Sequence, residues 1–124
     1  MAYENLIADC ITLEFRGEDM NAPVERWADL IVRAELAGFL LENVDVADQE
    51  AVAAEVSTFV GGLAFLNLDD LAERAKQADG KEKQAVRLAI DELKEIKKAA
   101  KKKQIDENKV LKLVLEEVAE IAGD

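Results

Sequence analysis

Apolar residues recur at helical spacing along most of the chain, and the first well-defined helix begins at Pro23. Proline suits the first position of a helix, because the N–H that it lacks would have no partner there. The segment from Pro23 to about Leu41 carries a broad apolar stripe, which predicts a central helix that neighbours contact on two sides. The members of this stripe are Val24, Trp27, Leu30, Ile31, Ala34, Gly38, Leu40 and Leu41.

The next helix is predicted from about Val46 to Leu66. Asp45 and Asp48 are candidates to cap it, since their carboxylates can accept backbone N–H groups of a first turn. The apolar face contains Val52, Val56, Phe59, Val60 and Leu63. The pair Gly61–Gly62 lowers helix stability by about 1 kcal/mol per glycine relative to alanine. It indicates either one kinked helix or two shorter ones, and the apolar run that continues beyond the pair favours one kinked helix.

A short helix is predicted from Leu68 to about Ala78, with Asn67 as its cap. The acidic residues near its start suit the positive end of the helix dipole, and they are Asp69, Asp70 and Glu73. The pair Asp79–Gly80 ends this helix, because glycine adopts the left-handed conformation at little cost.

The C-terminal third predicts two amphipathic helices, one from about Lys81 to Lys103 and one that starts at Asp106 and stops at Gly123. Ile105 and Val110 form a hydrophobic staple at the start of the second helix. A connection this short predicts an antiparallel hairpin in which the apolar stripes pair from the turn outwards. The predicted pairs are Ala100 with Val110, Ile96 with Val114, Leu93 with Val118 and Ile90 with Ile121.

The N-terminal segment allows two interpretations. Apolar residues follow helical spacing from Ala2 to about Phe15, whereas over residues 11–16 they alternate with polar ones as in a strand. We favour the helix; a short strand would need the same strand of a second copy as its partner. Cys10 is expected to be a small buried apolar residue in the helix, or to lie near a dimer axis in the strand alternative. Tyr3 carries no assignment.

Composition agrees with a single all-α domain over residues 1–124. The chain has one proline and six glycines, and only 5% of its residues are aromatic. We predict a five- to six-helix fold, an acidic bundle over residues 1–79 followed by the helical hairpin over residues 81–123. The absence of histidine excludes histidine-based triads and histidine-ligated zinc. No secretory signal or membrane-spanning run is expected, so we predict a cytoplasmic protein without cofactors.

Charge is distributed unevenly along the chain. Residues 1–80 contain 17 acidic and 5 basic residues, residues 81–103 contain 4 and 9, and residues 104–124 contain 6 and 2. One basic helix therefore lies within a chain of net charge −11. The acidic part favours solubility, and it also suits a basic partner.

Six lysines cluster near the end of this basic helix: Lys94, Lys97, Lys98, Lys101, Lys102 and Lys103. Like charges four residues apart repel by on the order of a few tenths of a kcal/mol, so something must offset them. The helix dipole and the nearby carboxylates of Asp91, Glu95 and Glu116 offer a purely structural explanation. The alternative is that these lysines bind an acidic protein surface or nucleic acid. The five predicted to do so are Lys94, Lys97, Lys98, Lys101 and Lys102. Net negative charge and the lack of interleaved aromatic residues disfavour nucleic acid.

The last helix carries an E-E-x-x-E group, a pattern that can hold a hard cation such as Mg²⁺ on Glu116, Glu117 and Glu120. The stretch Lys109–Gly123, which covers 15 of the 124 residues, resembles the first motif helix of the all-α nucleotide pyrophosphohydrolases of the MazG type. The resemblance implies a Mg²⁺-dependent enzyme in which a second carboxylate pair, E-x-x-D, follows on a later helix. No such pair follows here, so Asp69, Asp70, Glu73 or another subunit would have to supply it.

We predict a non-catalytic protein–protein interaction module, such as an adaptor, regulator or inhibitor, with no catalytic residues and no metal site. Apolar helix faces would supply affinity, and patches of opposite charge would select the partner, which is another protein or a second copy of the chain. Trp27 and Phe39 are expected in the core. Nucleic-acid binding through residues 94–103 and the Mg²⁺-dependent activity are the alternatives, and no membrane partner is expected. Similar compositions occur among phage and mobile-element products.

Overall fold

Five α-helices and one 3-10 helix, with no strand, make up the described residues, which are 22–41, 44–45 and 47–121 of a computed structural model. The helices are α1 (Val24–Leu40), α2 (Gln49–Phe59), the 3-10 helix (Val60–Phe65), α3 (Asp69–Gln77), α4 (Gly80–Lys101) and α5 (Glu107–Ile121). The predicted all-α bundle is therefore confirmed. The predictions for residues 2–16, including those for Tyr3 and Cys10, lie outside the described residues.

Side-chain caps begin three of the helices where the sequence predicts them. Asp48 Oδ1 accepts two backbone N–H groups of the first turn of α2, both at 3.1 Å. Asn67 Oδ1 accepts one at the start of α3 at 2.8 Å, and Asp106 Oδ1 accepts one in α5 at 3.2 Å. Asp45 Oδ1 accepts the N–H of Ala47 at 3.0 Å in the turn before α2. These bonds place the helix starts because they satisfy N–H groups that a first turn leaves without partners.

Helix α1 lies at the centre of the bundle, as its broad apolar stripe predicts. It packs mainly against α4 and α5, and it also contacts α2 and the 3-10 helix. Its buried surface is displaced from the predicted stripe, because Val32 and Leu36 are fully covered while Ala34 and Gly38 are only half-buried. One apolar core joins residues from α1 and from every other described helix.

The Gly61–Gly62 pair lies inside the 3-10 helix, so the predicted single kinked helix over residues 46–66 is wrong in its second half. The chain passes from α2 into the 3-10 helix without a break. Glycine is a poor former of α-helix, and the tighter winding of the 3-10 helix suits short segments at helix ends. This winding buries Val60 and Leu63 and leaves Phe65 exposed.

The predicted pairing of α4 with α5 along their lengths is wrong. A short connection joins the two helices, as expected, but they make little backbone contact with each other. Helix α4 packs against α1, α3 and the 3-10 helix, whereas α5 packs against α1 and α2. Both apolar stripes are covered all the same, since Leu93 and Val114 are fully buried. We expected α4 and α5 to cover each other's apolar stripes, and the central helix α1 covers both instead.

Residues in the left-handed conformation flank helix α4 at both ends. Gly80 has a φ of 58°, in agreement with the glycine turn predicted after the preceding helix. Lys103 has a φ of 56° just after the other end. There, the Lys103 N–H donates to the Ala100 carbonyl at 3.1 Å and the Gln104 N–H donates to the Ala99 carbonyl at 2.9 Å. This pair of bonds is a Schellman motif, in which the left-handed position is usually glycine.

Candidate functional site

Four of the clustered lysines line one cleft, which we call the lysine cleft. Its basic side is formed by Lys94, Lys97, Lys98 and Lys101 of α4, and its other side by residues 65–69, between the 3-10 helix and α3. The cleft has a volume of about 560 Å³. Lys102 and Lys103 are exposed but do not line it, so the structure brings together four of the five lysines predicted to bind a partner.

The lysine cleft keeps an excess of positive charge within the part of the chain that the structure describes, since four lysines and one carboxylate, that of Asp69, line it. None of the four lysines lies within 4.0 Å of a carboxylate there. Glu116, which the sequence places near Lys94, contacts Arg33 instead, with 3.4 Å between Nη1 and Oε2. The helix dipole and the longer-range attraction of Asp69 therefore remain as the structural offsets to repulsion between the lysines.

A larger groove lies beside the lysine cleft, and we call it the phenylalanine groove. It has a volume of about 1090 Å³ and is lined by residues of α1, α2, the 3-10 helix and α3. Three phenylalanines on its lining are exposed: Phe39 by 38%, Phe59 by 50% and Phe65 by 85%. Phe65 lines both the groove and the lysine cleft, so the two depressions form one continuous surface.

Local structure explains why these rings face outward. Phe39 lies near the end of α1, Phe59 ends α2, and Phe65 ends the 3-10 helix. Gly62 lies beneath the ring of Phe39, and a Cβ atom at that position would be 3.5 Å from Phe39 Cε1. The absence of a side chain at Gly62 therefore keeps the groove open. The prediction that Phe39 belongs to the core is wrong, because the last turn of α1 presents this ring to the groove.

Acidic residues also line the phenylalanine groove. Glu35 of α1, Glu55 of α2 and Asp70 of α3 lie there together with Arg74. Burial raises the pKa of the Glu35 carboxyl, the Asp70 carboxylate raises it further, and Arg74 opposes both effects. Arg74 itself forms an ion pair with Glu82 at 2.9 Å. The continuous surface thus has an apolar floor, with carboxylates in the groove and lysines in the adjoining cleft.

The E-E-x-x-E group does not form a cation site among the described residues. Glu120 contacts Arg26 at 2.8 Å and Arg33 at 3.4 Å, and Glu116 also contacts Arg33. Glu117 is fully buried, whereas Glu116 and Glu120 are partly exposed. Within the described ranges, no three carboxylate or cysteine side chains lie close enough to hold a metal ion, so Asp69, Asp70 and Glu73 do not complete a site with these glutamates.

Trp27 lies in the core, as predicted, with 4% of its surface exposed. Lys81 Nζ lies 4.4 Å from the centre of the Trp27 ring, in the position of a cation–π contact.

The buried guanidinium of Arg33 was not predicted. A lone arginine in an amphipathic helix gives no signal that carboxylates from a helix more than 80 residues later will cover it.

The exposed position of Phe65 beside the lysines was also missed, because Phe65 and the lysines are about 30 residues apart and only the fold joins them.

Within the described residues no single helix is long and apolar enough to cross a membrane. The helical segments 49–65 and 69–77 are long and apolar enough only when they are taken together, and they are bent by 68° at the break between them. No protein-family model, curated protein or solved structure matches the chain.

Proposed function

We propose that this protein is a non-catalytic protein–protein interaction module that binds its partner through the phenylalanine groove. The observation that carries the proposal is the grouping of Phe39, Phe59 and Phe65 around one open groove. Exposed apolar residues are ordinary when they are scattered singly, whereas a contiguous patch of them is typical of an interaction site. Aromatic residues that are covered on association also supply much of the binding energy in protein interfaces.

Energetics support a binding role for these rings. Full burial of a phenylalanine side chain stabilises by roughly 1.5–3 kcal/mol relative to exposure. Phe65 leaves most of this free energy unused in the isolated chain, since 85% of its surface is exposed. A partner that covers it would gain roughly one order of magnitude or more in affinity from this ring alone. The carboxylates of the groove and the lysines of the adjoining cleft would then select the partner and its orientation.

A pair of matched substitutions tests the proposal. Phe65→Ser removes the most exposed ring of the groove, whereas Leu88→Ser removes an apolar side chain of α4 that is 41% exposed and does not line the groove. Tagged protein of each type is used to capture proteins from lysate of the source cells, and quantitative mass spectrometry compares the captured sets. We expect a defined protein to be retained by the wild type and by Leu88→Ser but lost with Phe65→Ser.

Self-association is measured on the same three proteins by light scattering, since a second copy is also an interaction partner. A larger solution mass for the wild type that Phe65→Ser reduces to that of a single chain would support the groove as the interface. Equal capture and equal solution mass for all three proteins would contradict the proposal.

Nucleic-acid binding is a second candidate, which one observation favours. Phe65 places an aromatic ring in the same cleft as four lysines, and aromatic stacking beside a basic groove is how many proteins bind single strands. Anisotropy of a labelled single-stranded oligonucleotide at low salt tests this candidate. A bound state that weakens steeply with salt and disappears in a Lys97→Glu, Lys98→Glu, Lys101→Glu triple variant would support it. The carboxylates that line the adjacent groove favour a protein partner.

A further inference from the structure

We infer that the occupant of the phenylalanine groove is a single amphipathic α-helix of the partner, whose flank facing α4 is acidic. The inference rests on the proposed function and specifies the partner's chemistry. Its three supports are the secondary structure that the lining can accept, the apolar floor, and the positive charge of the adjoining lysine cleft.

The groove offers few hydrogen-bond partners to a bound backbone. Apart from Leu66 and Asn67, its lining belongs to helices, whose backbone groups are largely bonded within each helix, and the described residues include no sheet edge to which a strand could add. Among the lining side chains only Asn67 and Arg74 carry N–H donors, and the aromatic rings are all phenylalanine. An extended or polyproline segment would therefore leave carbonyl groups without donors. An α-helix satisfies its own backbone and needs only an apolar face.

The floor suits the apolar stripe of such a helix. Phe39, Phe59 and Phe65 come from three different elements, so they surround the groove rather than follow one line. Helices that bind in grooves insert apolar side chains at positions i, i+3 or i+4, and i+7. Gly62 leaves space beside the Phe39 ring for one of these side chains.

The lysines of the adjoining cleft select the charge of one flank of the helix. Lys94 and Lys98, like Lys97 and Lys101, are four residues apart, so the four lysines present a row of positive charge along one side of α4. A bound helix with Glu or Asp at a similar spacing on one flank would face this row. Glu35, Glu55 and Asp70 line the groove itself, together with Arg74, and this excess of carboxylates would disfavour acidic residues elsewhere on the bound helix. The occupant is thus acidic on one flank only.

A helical peptide library tests the inference directly. Each displayed peptide has roughly 18 residues, or five helical turns, with leucine fixed at the anchor positions and both flanks randomised among Glu, Lys, Ser and Ala. Selection against the full-length protein should enrich acidic residues on one flank and Lys, Ser or Ala on the other. Exchanging the two flanks of a selected peptide should weaken binding about tenfold, as summed over several exposed ion pairs.

Matched variants locate the binding site. Gly62→Leu places a side chain inside the groove and should abolish binding, whereas Gly61→Leu adds the same side chain at an exposed position with open space around it. Lys97→Ser with Lys101→Ser should remove the preference for an acidic flank. Lys102→Ser with Lys112→Ser changes the net charge equally at exposed positions outside the cleft and should preserve it. Circular dichroism confirms that each variant keeps its helices.

The inference is overturned if no peptide binds, if the selected flanks show no acidic bias, or if Gly62→Leu and Gly61→Leu bind equally. It is also overturned if the groove instead mediates self-association or the lysine cleft binds a single-stranded oligonucleotide. Self-association through Phe65 would leave the proposed interaction function intact, since the groove would still bind a protein. Failure of the proposed function itself appears separately, as equal capture and solution mass for the Phe65→Ser and Leu88→Ser proteins.

Discussion

Arg33 Nη1 lies 3.4 Å from Glu116 Oε2, so a buried guanidinium of α1 meets a carboxylate of α5. The same guanidinium contacts Glu120 at 3.4 Å and Asp29 at 3.1 Å. Only 2% of the Arg33 side chain is exposed, compared with 45% of Glu116. The cation is therefore covered while its carboxylate partners keep contact with water. Two glutamates of the E-E-x-x-E group thus join the first and last described helices.

Replacement of this guanidinium should destabilise the fold. We expect Arg33→Ala to lower the free energy of unfolding by about 2 kcal/mol, because it removes the packing of the long side chain and the partners of the carboxylates. The control is Arg87→Ala, which removes an exposed arginine of α4 and should change the free energy of unfolding by less than about 0.5 kcal/mol. Urea unfolding followed by circular dichroism measures both. Equal losses would show that the ion pairs of Arg33 do not stabilise the bundle.

Substitution of Lys103 by glycine should stabilise the fold. Its left-handed φ of 56° strains any residue with a side chain, so Lys103→Gly should raise the free energy of unfolding by about 0.5–1 kcal/mol. Lys102 has a φ of −87°, where glycine relieves no strain. Lys102→Gly is therefore the matched control, with the same change in charge and composition. A gain with Lys102→Gly that matched the gain with Lys103→Gly would mean that lost lysine repulsion, rather than the backbone, is responsible.

Glu35 should make stability depend on pH. Its folded pKa is raised above 4.5 by burial and by Asp70, with Arg74 opposing, and Glu55 lines the same groove. The folded state therefore holds this proton more tightly than the unfolded state does. The contribution of Glu35 to the free energy of unfolding is therefore fully present below its unfolded pKa, and it is lost as pH rises through its folded pKa. Glu35→Gln should accordingly be more stable than the wild type at neutral pH, with the gain disappearing below pH 4.5.

Asp45 provides a control of opposite sign for this measurement. The hydrogen bond from the Ala47 N–H lowers the pKa of the Asp45 carboxyl below 3.8, so its contribution is present above that value and lost in acid. Asp45→Asn should therefore be less stable than the wild type at neutral pH, and the difference should narrow in acid. Urea midpoints measured from acid to neutral pH give both profiles. Parallel profiles for the two variants would contradict the assignment of Glu35 as a buried carboxyl.

Features that depend on local chemistry could be predicted from the sequence. Asp48, Asn67 and Asp106 bond to the starts of helices because each side chain reaches a backbone N–H two or three residues away, and such bonds need no knowledge of the fold. The helical class follows in the same way from propensity and periodicity. Gly80 likewise takes the left-handed conformation that its place between two helices indicates.

Features that depend on how the helices pack could not be predicted. Periodicity identifies which face of α4 and α5 is buried, but it does not say that α1 rather than the neighbouring helix covers it. Phe39 has the same hydrophobicity whether it lies in the core or lines a groove, and only the positions of Gly62 and α2 decide which. The lysine cluster was identified because charge is visible in the sequence. Its proximity to Phe65 arises from the fold.

The Mg²⁺-dependent activity that the resemblance to MazG-type enzymes implies can be tested on the intact protein. Glu116 and Glu120 are held by Arg33 and Arg26, and Glu117 is fully buried, so Mg²⁺ would have to displace arginines to gain carboxylate ligands. We expect Mg²⁺ to leave the unfolding midpoint unchanged and no pyrophosphate to be released from nucleotides. A cation that bound the folded state at 100 times its Kd would add about 2.7 kcal/mol, an effect easily measured. Stabilisation by Mg²⁺ that Glu120→Gln abolished and Asp91→Asn preserved would show that α5 carries a cation site after all.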